Sequence, residues 1–539
     1  MATPKGKPNR LGRTGMAPRK LPARAVRIAA FSMLVLAVAC AGKEQNTVSG
    51  EYNSFEATRL FSVGYHDIAD IYIEEVAMAD LAVAGLREVA EMDPTVAVER
   101  HGDDLSMRVK GRETHVFPLP KSEDPDRWGS MTASALEAGQ SYSPTLRNKS
   151  AEELYESMFE GMLVHLDPYS RYAGADRARE NRANRDGFGG IGVRIGMVDA
   201  GIEILSVMQD SPAKSAGLAE GDVIVAIDGE PAAMLGRAEA VEKLRGRIDS
   251  RVALTVRRED LEYPVQIAVR RGHIVPQTVE YRREGDTAYI RVSGFNQNTA
   301  ESMRRVIGKA RRDIGPDLAG FVLDLRDNPG GLLDQAVDVS DLFVREGRIV
   351  STHGRHPDSH QYFDADPDDL GEGRPVVVLV NAASASASEI VAAALQDSGR
   401  AVVIGSTSFG KGTVQTVLRL PNRGELTLTW ARFHAPSGYA LSRRGVLPDV
   451  CTSGKAEDFD DVLADLRHSR MTRQTRTHSA AYGDGQAGEE ALEALRASCP
   501  GRRASPSLDL DVALRLIHDR ELYRTAAGTV PAKLAQVHH

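Results

Sequence analysis

Two segments of this 539-residue chain hold residue types that could make and break a bond. The first, Asn381-Ala382-Ala383-Ser384-Ala385-Ser386-Ala387-Ser388-Glu389-Ile390, follows an apolar strand-like run and opens a helical one. Serines in the first turn of a helix meet unpaired backbone N–H groups and the positive end of the helix dipole. Both favour an activated hydroxyl and the oxyanion it would generate. The residues alone do not choose among Ser384, Ser386 and Ser388, and an N-cap with tight packing gives the same composition. The second segment is Phe409-Gly410-Lys411-Gly412-Thr413-Val414-Gln415. A lysine between glycines and apolar strands can lie where its ammonium is poorly hydrated, which draws its pKa down from about 10.4 towards neutrality. A neutral amine can then take the proton of a serine with no histidine present. With Gly405 the segment also spells Gly-x-x-x-x-Gly-Lys. A phosphate loop needs Ser or Thr after that lysine and a helix beyond it. Here Gly412 follows, and then a β-branched run.

Other segments could support such chemistry. Asp324-Leu325-Arg326-Asp327-Asn328-Pro329-Gly330-Gly331 ends an apolar strand in a turn whose N–H groups could hold a developing oxyanion. Between 187 and 272 come Gly189-Gly190-Ile191-Gly192-Val193, Ser211-Pro212-Ala213, Ala216-Gly217-Leu218, Gly221-Asp222-Val223-Ile224 and Ile227-Asp228-Gly229. Glycines around Ile191 let consecutive N–H groups converge on an anion. A neighbouring strand edge could add a peptide strand, so Gly190, Ile191, Gly192 and Val193 are candidates for capturing a free C-terminal carboxylate. This run of motifs resembles a PDZ domain. His353, His356 and His360 are spaced as metal ligands could be, but their neighbours read as an exposed loop, and no His-Glu-x-x-His occurs.

The elements that position these segments follow from the pattern. Strands and helices alternate from Ala288 to Leu418, the signature of an α/β core. Residues 43–85 and 151–166 read as helices, 96–120 as paired strands, and 121–150 as a loose polar stretch. Formal net charge is −8, yet residues 1–39 hold eight Lys or Arg and no acid, so 40–539 carry −16. A body that acidic argues against nucleic acid as a partner. The basic stretch runs into the apolar segment Ile28–Ala41, the form of an export signal. At about 14 residues it is short for a membrane span. Ala37-Val38-Ala39-Cys40 suits signal cleavage or lipoprotein processing, with Cys40 as the lipidated residue. The remaining cysteines, Cys451 and Cys499, could pair in an oxidising compartment.

Taken in order, the motifs resemble the carboxyl-terminal processing (tail-specific) peptidases, Ser–Lys proteases with a PDZ domain inserted before the catalytic core. The resemblance spans about 150–450. It runs from Leu166-Asp167-Pro168-Tyr169-Ser170 through the PDZ segment, Leu325–Gly331, Ser384–Glu389 and Phe409–Gln415 to Gly445-Val446-Leu447-Pro448-Asp449. It implies Ser386 as nucleophile, Lys411 as base, Gln415 as the residue orienting it, and backbone amides near Gly331 and Ala387 as the oxyanion hole. It implies a crotonase-like α/β core, no metal and no cofactor. The expected organisation is a signal at 1–40, then a helical N-terminal region at 41–186 with a strand-like insertion at about 87–150. A PDZ domain at 187–272, the catalytic core at 273–450 and a helical tail at 451–539 follow. The expected activity is endopeptidase cleavage of envelope proteins or peptides with free, apolar C-termini. The protein would be periplasmic, lipid-anchored if Cys40 is modified, with a regulatory partner and a homo-oligomeric state both open. Two rival readings are a PDZ scaffold with an idle protease core and a nucleotide-dependent enzyme.

Overall fold

The computed structural model describes residues 52–453, 459–468, 489–501 and 506–528. The expected export signal and the lipidation of Cys40 lie outside them. Helix α1 (Ser54–Ile71) starts at Asn53, whose side chain accepts the N–H groups of Phe55 and Glu56. The expected single helix over 43–85 is broken before α2 (Met78–Glu91). There Ile73 N–H donates to Thr429 O (2.9 Å) and Tyr72 OH to Leu166 O (2.7 Å), so the backbone leaves the helix to meet the strand that carries Thr429. Strands β1 (Val96–His101), β2 (Asp104–Val109) and β3 (Arg112–Pro118) form an antiparallel sheet.

The stretch expected to be loose contains an 18-residue helix, α3 (Pro125–Tyr142), capped by Asp124 with proline in its first turn. Its buried face sets Trp128, Met131, Ala135 and Leu136 at helical spacing, a period that the Gly, Ser and Thr residues between them dilute in the sequence. Small residues serve close approach: a Cβ on Gly129 would lie 2.4 Å from Ser62 Oγ of α1. Helix α4 (Ala151–Leu163) carries a capping box in which Ser150 and Glu153 exchange hydrogen bonds. These helices share one apolar core with the three-stranded sheet.

After the short strand β4 (Arg171–Ala173) comes β5 (Phe188–Gly190), and then a second, self-contained core. It is built from β6 (Val193–Val198), β7 (Gly201–Val207), β8 (Val223–Ile227), helix α5 (Arg237–Leu244), β9 (Arg251–Arg257) and β10 (Val265–Arg270). The strand order β10-β9-β8-β7-β6 leaves β6 at an edge. Strand β11 (Gly272–Ile274) pairs back with β5 and closes the segment.

The central sheet collects β12 (Val279–Glu284), β13 (Thr287–Val292), β14 (Gly320–Asp324), β17 (Val376–Val380), β18 (Val402–Gly405) and β21 (Val450–Cys451), in that spatial order. All pairings after β12–β13 are parallel. Helices α6 (Thr299–Ile314), α7 (Leu333–Asp341) and α8 (Ala387–Asp397) pack on one face. A second sheet, β16-β15-β20-β19, is built from β15 (Arg348–His353), β16 (Gln361–Asp364), β19 (Thr413–Arg419) and β20 (Glu425–His434), and β4 joins it on β20. His353 therefore ends a strand rather than sitting in an exposed loop, its ring 4.9 Å from that of His434 and 5.4 Å from that of His360.

All five residues of β17 are buried, so the sheet needs cover on both faces. The C-terminal segment supplies the second cover. Helices α9 (Phe459–His468), α11 (Pro506–His518) and α12 (Arg520–Ala527) set Val462, Val512, Leu516 and Leu522 against Val377, Leu379, Val402 and Ile404. Helix α10 (Glu489–Ala497) precedes Cys499, which forms a disulfide with Cys451.

Candidate active site

Strand β17 delivers the chain to Asn381, and the next five residues form a turn tied by side-chain as well as backbone hydrogen bonds. Ser384 and Ser388 are fully buried, and their hydroxyls are spent on the structure. Ser384 Oγ donates to Leu325 O (2.8 Å), and Ser388 Oγ lies 2.7 Å from Ala385 O and 2.8 Å from Asn328 O. Ser386 alone of the three is partly exposed. It precedes α8 with φ of 58°, a left-handed conformation that a non-glycine residue holds only when its surroundings impose it. The three serines that the sequence leaves equivalent thus become two packing residues and one presented hydroxyl.

Gly330 explains the imposed backbone. A Cβ there would lie 2.8 Å from Ser386 Cβ and 2.7 Å from Ala385 O, so the Pro-Gly-Gly turn packs directly on the serine. The turn is held by Gly330 N–H to Asn328 Oδ1 (2.8 Å) and by Ala385 N–H to Asn328 O (2.9 Å). The same imagined Cβ is 3.0 Å from Ala387 N, so the backbone before Gly331 lies against the first N–H of α8. No carbonyl of the helix itself can reach that N–H.

Lys411 arrives on the loop between β18 and β19. Its Nζ lies 4.9 Å from the centre of the Tyr169 ring. Burial, aided by the charge of Arg171, lowers its pKa to about 8, while Asp167 and Glu389 oppose the shift. The joint between the two segments is Glu389, quoted in the serine segment but given no role by sequence reasoning. It is fully buried. One oxygen, Oε2, accepts Ser386 N–H (2.8 Å) and Lys411 N–H (3.0 Å); the other accepts Gly410 N–H (2.7 Å) and Ser408 Oγ–H (2.5 Å). A shared acceptor holds the Ser386 and Lys411 backbone nitrogens within about 6 Å of each other. Burial pushes the Glu389 pKa up, against four donors that favour the carboxylate. The only signal available in the sequence was a lone acid opening an otherwise apolar helix.

Among the described residues, Ser386 Oγ and Lys411 Nζ are not hydrogen-bonded to one another. Nor is Gln415 bonded to the lysine. Gln415 Nε2 donates to Thr413 Oγ1 (2.8 Å) and Thr429 Oγ1 (3.2 Å), and Thr429 Oγ1 donates to Asp167 Oδ1 (3.0 Å). The Leu166-Asp167-Pro168-Tyr169-Ser170 motif thus reaches the site twice, through the Tyr169 ring and through Asp167.

These features can be set beside known proteins. The sequence profile of peptidase family S41 matches residues 286–452, and that of a PDZ domain matches 203–258. A carboxy-terminal-processing protease of Bartonella bacilliformis is 43% identical over 301 residues, covering 56% of this chain and 69% of that one. The chain belongs to peptidase family S41. It is a serine protease with a PDZ domain. A "Probable CtpA-like serine protease" of Staphylococcus haemolyticus is 34% identical over 307 residues, covering 56% of this S41 chain and 61% of its own. A solved photosystem II D1 C-terminal processing protease is 23% identical, with a TM-score of 0.38 over 73% of this chain and 92% of that one.

The four candidate groove residues lie together in the PDZ segment. Gly190 ends β5, Ile191 is buried, Gly192 has φ of 83° and Val193 begins the edge strand β6. The turn is pinned by Ala213 N–H to Ile191 O (2.8 Å) and Met208 N–H to Gly192 O (3.0 Å). A Cβ on Gly192 would lie 2.4 Å from Ser211 Cβ, so glycine is needed for contact as well as for φ.

Proposed function

We propose that this S41 protease captures the free, apolar C-termini of envelope proteins and cleaves them with Ser386 as nucleophile and Lys411 as general base. The observation that carries the reading is the shared Glu389 carboxylate. It joins a serine held at φ 58° to a lysine whose ammonium is already destabilised. Neutral Lys411 takes the Ser386 proton as Oγ attacks the substrate carbonyl. The amide N–H groups of Ala387 and Gly331 receive the oxyanion. The lysine then protonates the leaving amine, and water, activated by the same amine, hydrolyses the acyl-enzyme. Gln415 orients the lysine. The core would be crotonase-like, and no step calls for a metal or cofactor.

The peptide would add to the free edge of β6, with its carboxylate at Gly190–Val193. Because the two reacting atoms are apart here, docking of the tail would bring them together, as catalytic contacts often tighten only in the substrate complex. We read the protein as exported to the periplasm, with Cys40 a candidate lipid anchor. The test incubates wild type, Ser386→Ala and Lys411→Ala with an unfolded substrate ending in apolar residues, without metal or nucleotide. Cleavage by wild type alone is expected, and it should weaken when the substrate C-terminus is amidated. Cleavage by Ser386→Ala would overturn the assignment.

A further inference from the structure

The loop carrying Lys411 exposes Phe409, while its glycines lie against a neighbouring loop: a Cβ on Gly412 would stand 1.9 Å from Ser442 N and one on Gly410 3.1 Å from the Arg443 carbonyl carbon. With no side chains on those glycines to anchor it, hydrogen bonds from other segments hold its backbone as well. Glu389 supplies them on one side through the N–H groups of Gly410 and Lys411. The carbonyl side is met by a residue outside the S41 match. Nη1 of Arg496, near the end of α10, donates to the carbonyl oxygens of Arg444 (3.1 Å), Arg443 (3.2 Å) and Phe409 (3.4 Å). Arg443 N–H in turn donates to Gly410 O (2.8 Å), so the guanidinium ties two loops together. Three residues on, Cys499 O accepts Thr407 Oγ1–H (2.6 Å) and lies 3.4 Å from Thr407 N.

Helix α10 could not hold Arg496 there unaided. It has nine residues, none of them buried, and a helix so short is marginal without packing. What fixes it is the anchor that follows. Cys499 is buried and bonded to Cys451 at the end of the core sheet, and Ser453 Oγ donates to Pro500 O (2.5 Å).

We infer that the disulfide-tethered segment Arg496–Gly501 is a positioning element for the catalytic loop, with Arg496 fixing the backbone that presents Lys411. The inference rests on the Ser–Lys reading above and adds to it a residue and a covalent bond outside the core. It predicts that losing either loosens the lysine without touching the peptide groove. Turnover falls while substrate capture does not, and the lysine, admitted to water, titrates higher.

The experiment uses the full mature chain and a C-terminally apolar peptide substrate, measuring kcat, KM and the pH dependence of kcat/KM. Four proteins are compared: wild type, Arg496→Ala, Arg496→Lys and Cys451→Ala/Cys499→Ala. Misplacing a catalytic group by about 1 Å can cost about 100-fold, so Arg496→Ala is expected to lose roughly 10- to 100-fold in kcat at unchanged KM. Its alkaline-rising limb should move to higher pH, and Arg496→Lys, which keeps a donor, should recover part of both. Wild type treated with a phosphine reductant should match the double cysteine variant, which the reductant should leave unaffected. That comparison guards against a misfolded Arg496→Ala, because it starts from the native chain. Wild-type kcat and an unmoved limb in reduced wild type and in Arg496→Ala would overturn the inference. Ser386→Ala run alongside separates the two readings. If it cleaves, the dyad assignment falls; if it is inert while Arg496→Ala behaves as wild type, only the positioning role falls.

Discussion

Around Ser386 the neighbours are backbone and small side chains packed to contact, whereas around Lys411 they are charges, an aromatic ring and glycine loops. Ser384, Ser388 and Gly330 fix the serine by volume exclusion and short backbone bonds. Lys411 is held by what surrounds it electrostatically: burial and Arg171 against Asp167 and Glu389. A nucleophile needs its position defined, and close packing does that. A general base needs its proton affinity defined, which depends on hydration and nearby charge. The two halves should therefore fail differently when altered, the serine side through geometry and the lysine side through pH.

The sharpest break is Lys411→Met. Activity should fall by about 10⁴-fold, as for removal of a catalytic base. Stability should move the other way. In the fold the lysine loses its proton near pH 8, but in the unfolded chain only near 10.5. Between those values the unfolded state binds more protons, so wild-type stability rises with pH through that window. At pH 7 the fold still bears the cost of a buried ammonium, and methionine does not. Lys411→Met should therefore melt higher than wild type at pH 7, with the gap narrowing as pH climbs from 8 to above 10.5. A gap independent of pH, read by thermal melts across that range, would refute the account of the lysine. For wild-type turnover the matching expectation is a kcat/KM that rises about tenfold per pH unit and levels off near pH 8.

The same contrast explains what could be read in the sequence. The buried run Val376–Val380, the glycine punctuation of the PDZ segment and the strand–helix alternation are local signals, and each element stands where it was expected. The roles proposed for Ser386 and Lys411 come from the order of motifs, not from chemistry visible in either segment alone. What escaped depends on contacts distant in sequence. Glu389 acquires its role only when Ser408, Gly410 and Lys411, some twenty residues on, fold over it. Helix α3 carries a buried stripe, Trp128, Met131, Ala135 and Leu136, that the Gly, Ser and Thr residues between them dilute in the sequence. The tail shows little pattern because α11 and α12 need the apolar second face of the central sheet to make sense of theirs.

On the serine side the corresponding test is Gly330→Ala. The added methyl meets Ser386 Cβ and the Ala385 carbonyl at under 3 Å, at a residue whose φ is 101°. Neither neighbour is a flexible side-chain end, so the serine turn itself must shift. We expect about 100-fold loss of kcat for a stability cost of about 1–3 kcal/mol. The pH limb should stay near 8, because nothing around the lysine has changed. A limb displaced as far as in Arg496→Ala would show that serine geometry and lysine titration are one coupled property, and the comparison would collapse.

The smallest effect expected lies where the two halves meet the second sheet, at Gln415. Both hydrogens of its amide nitrogen are engaged by Thr413 and Thr429, and Thr429 is itself held by Asp167. That leaves the amide oxygen to accept from the lysine ammonium once substrate has drawn the base into place. A hydrogen bond to a charged group is worth about 1.5–3 kcal/mol, so Gln415→Ala should cost roughly tenfold or somewhat more in kcat at unchanged KM. Thr429→Val, which removes one of the two groups orienting the amide, should reproduce a fraction of that loss. Both effects should be larger above pH 8, where the lysine starts neutral and gains this bond only as it takes the serine proton, and shrink below it, where the ammonium already holds the bond before reaction. A Gln415→Ala enzyme with wild-type kcat at every pH would remove this residue from the mechanism and leave the lysine oriented by its loop and the Tyr169 ring alone.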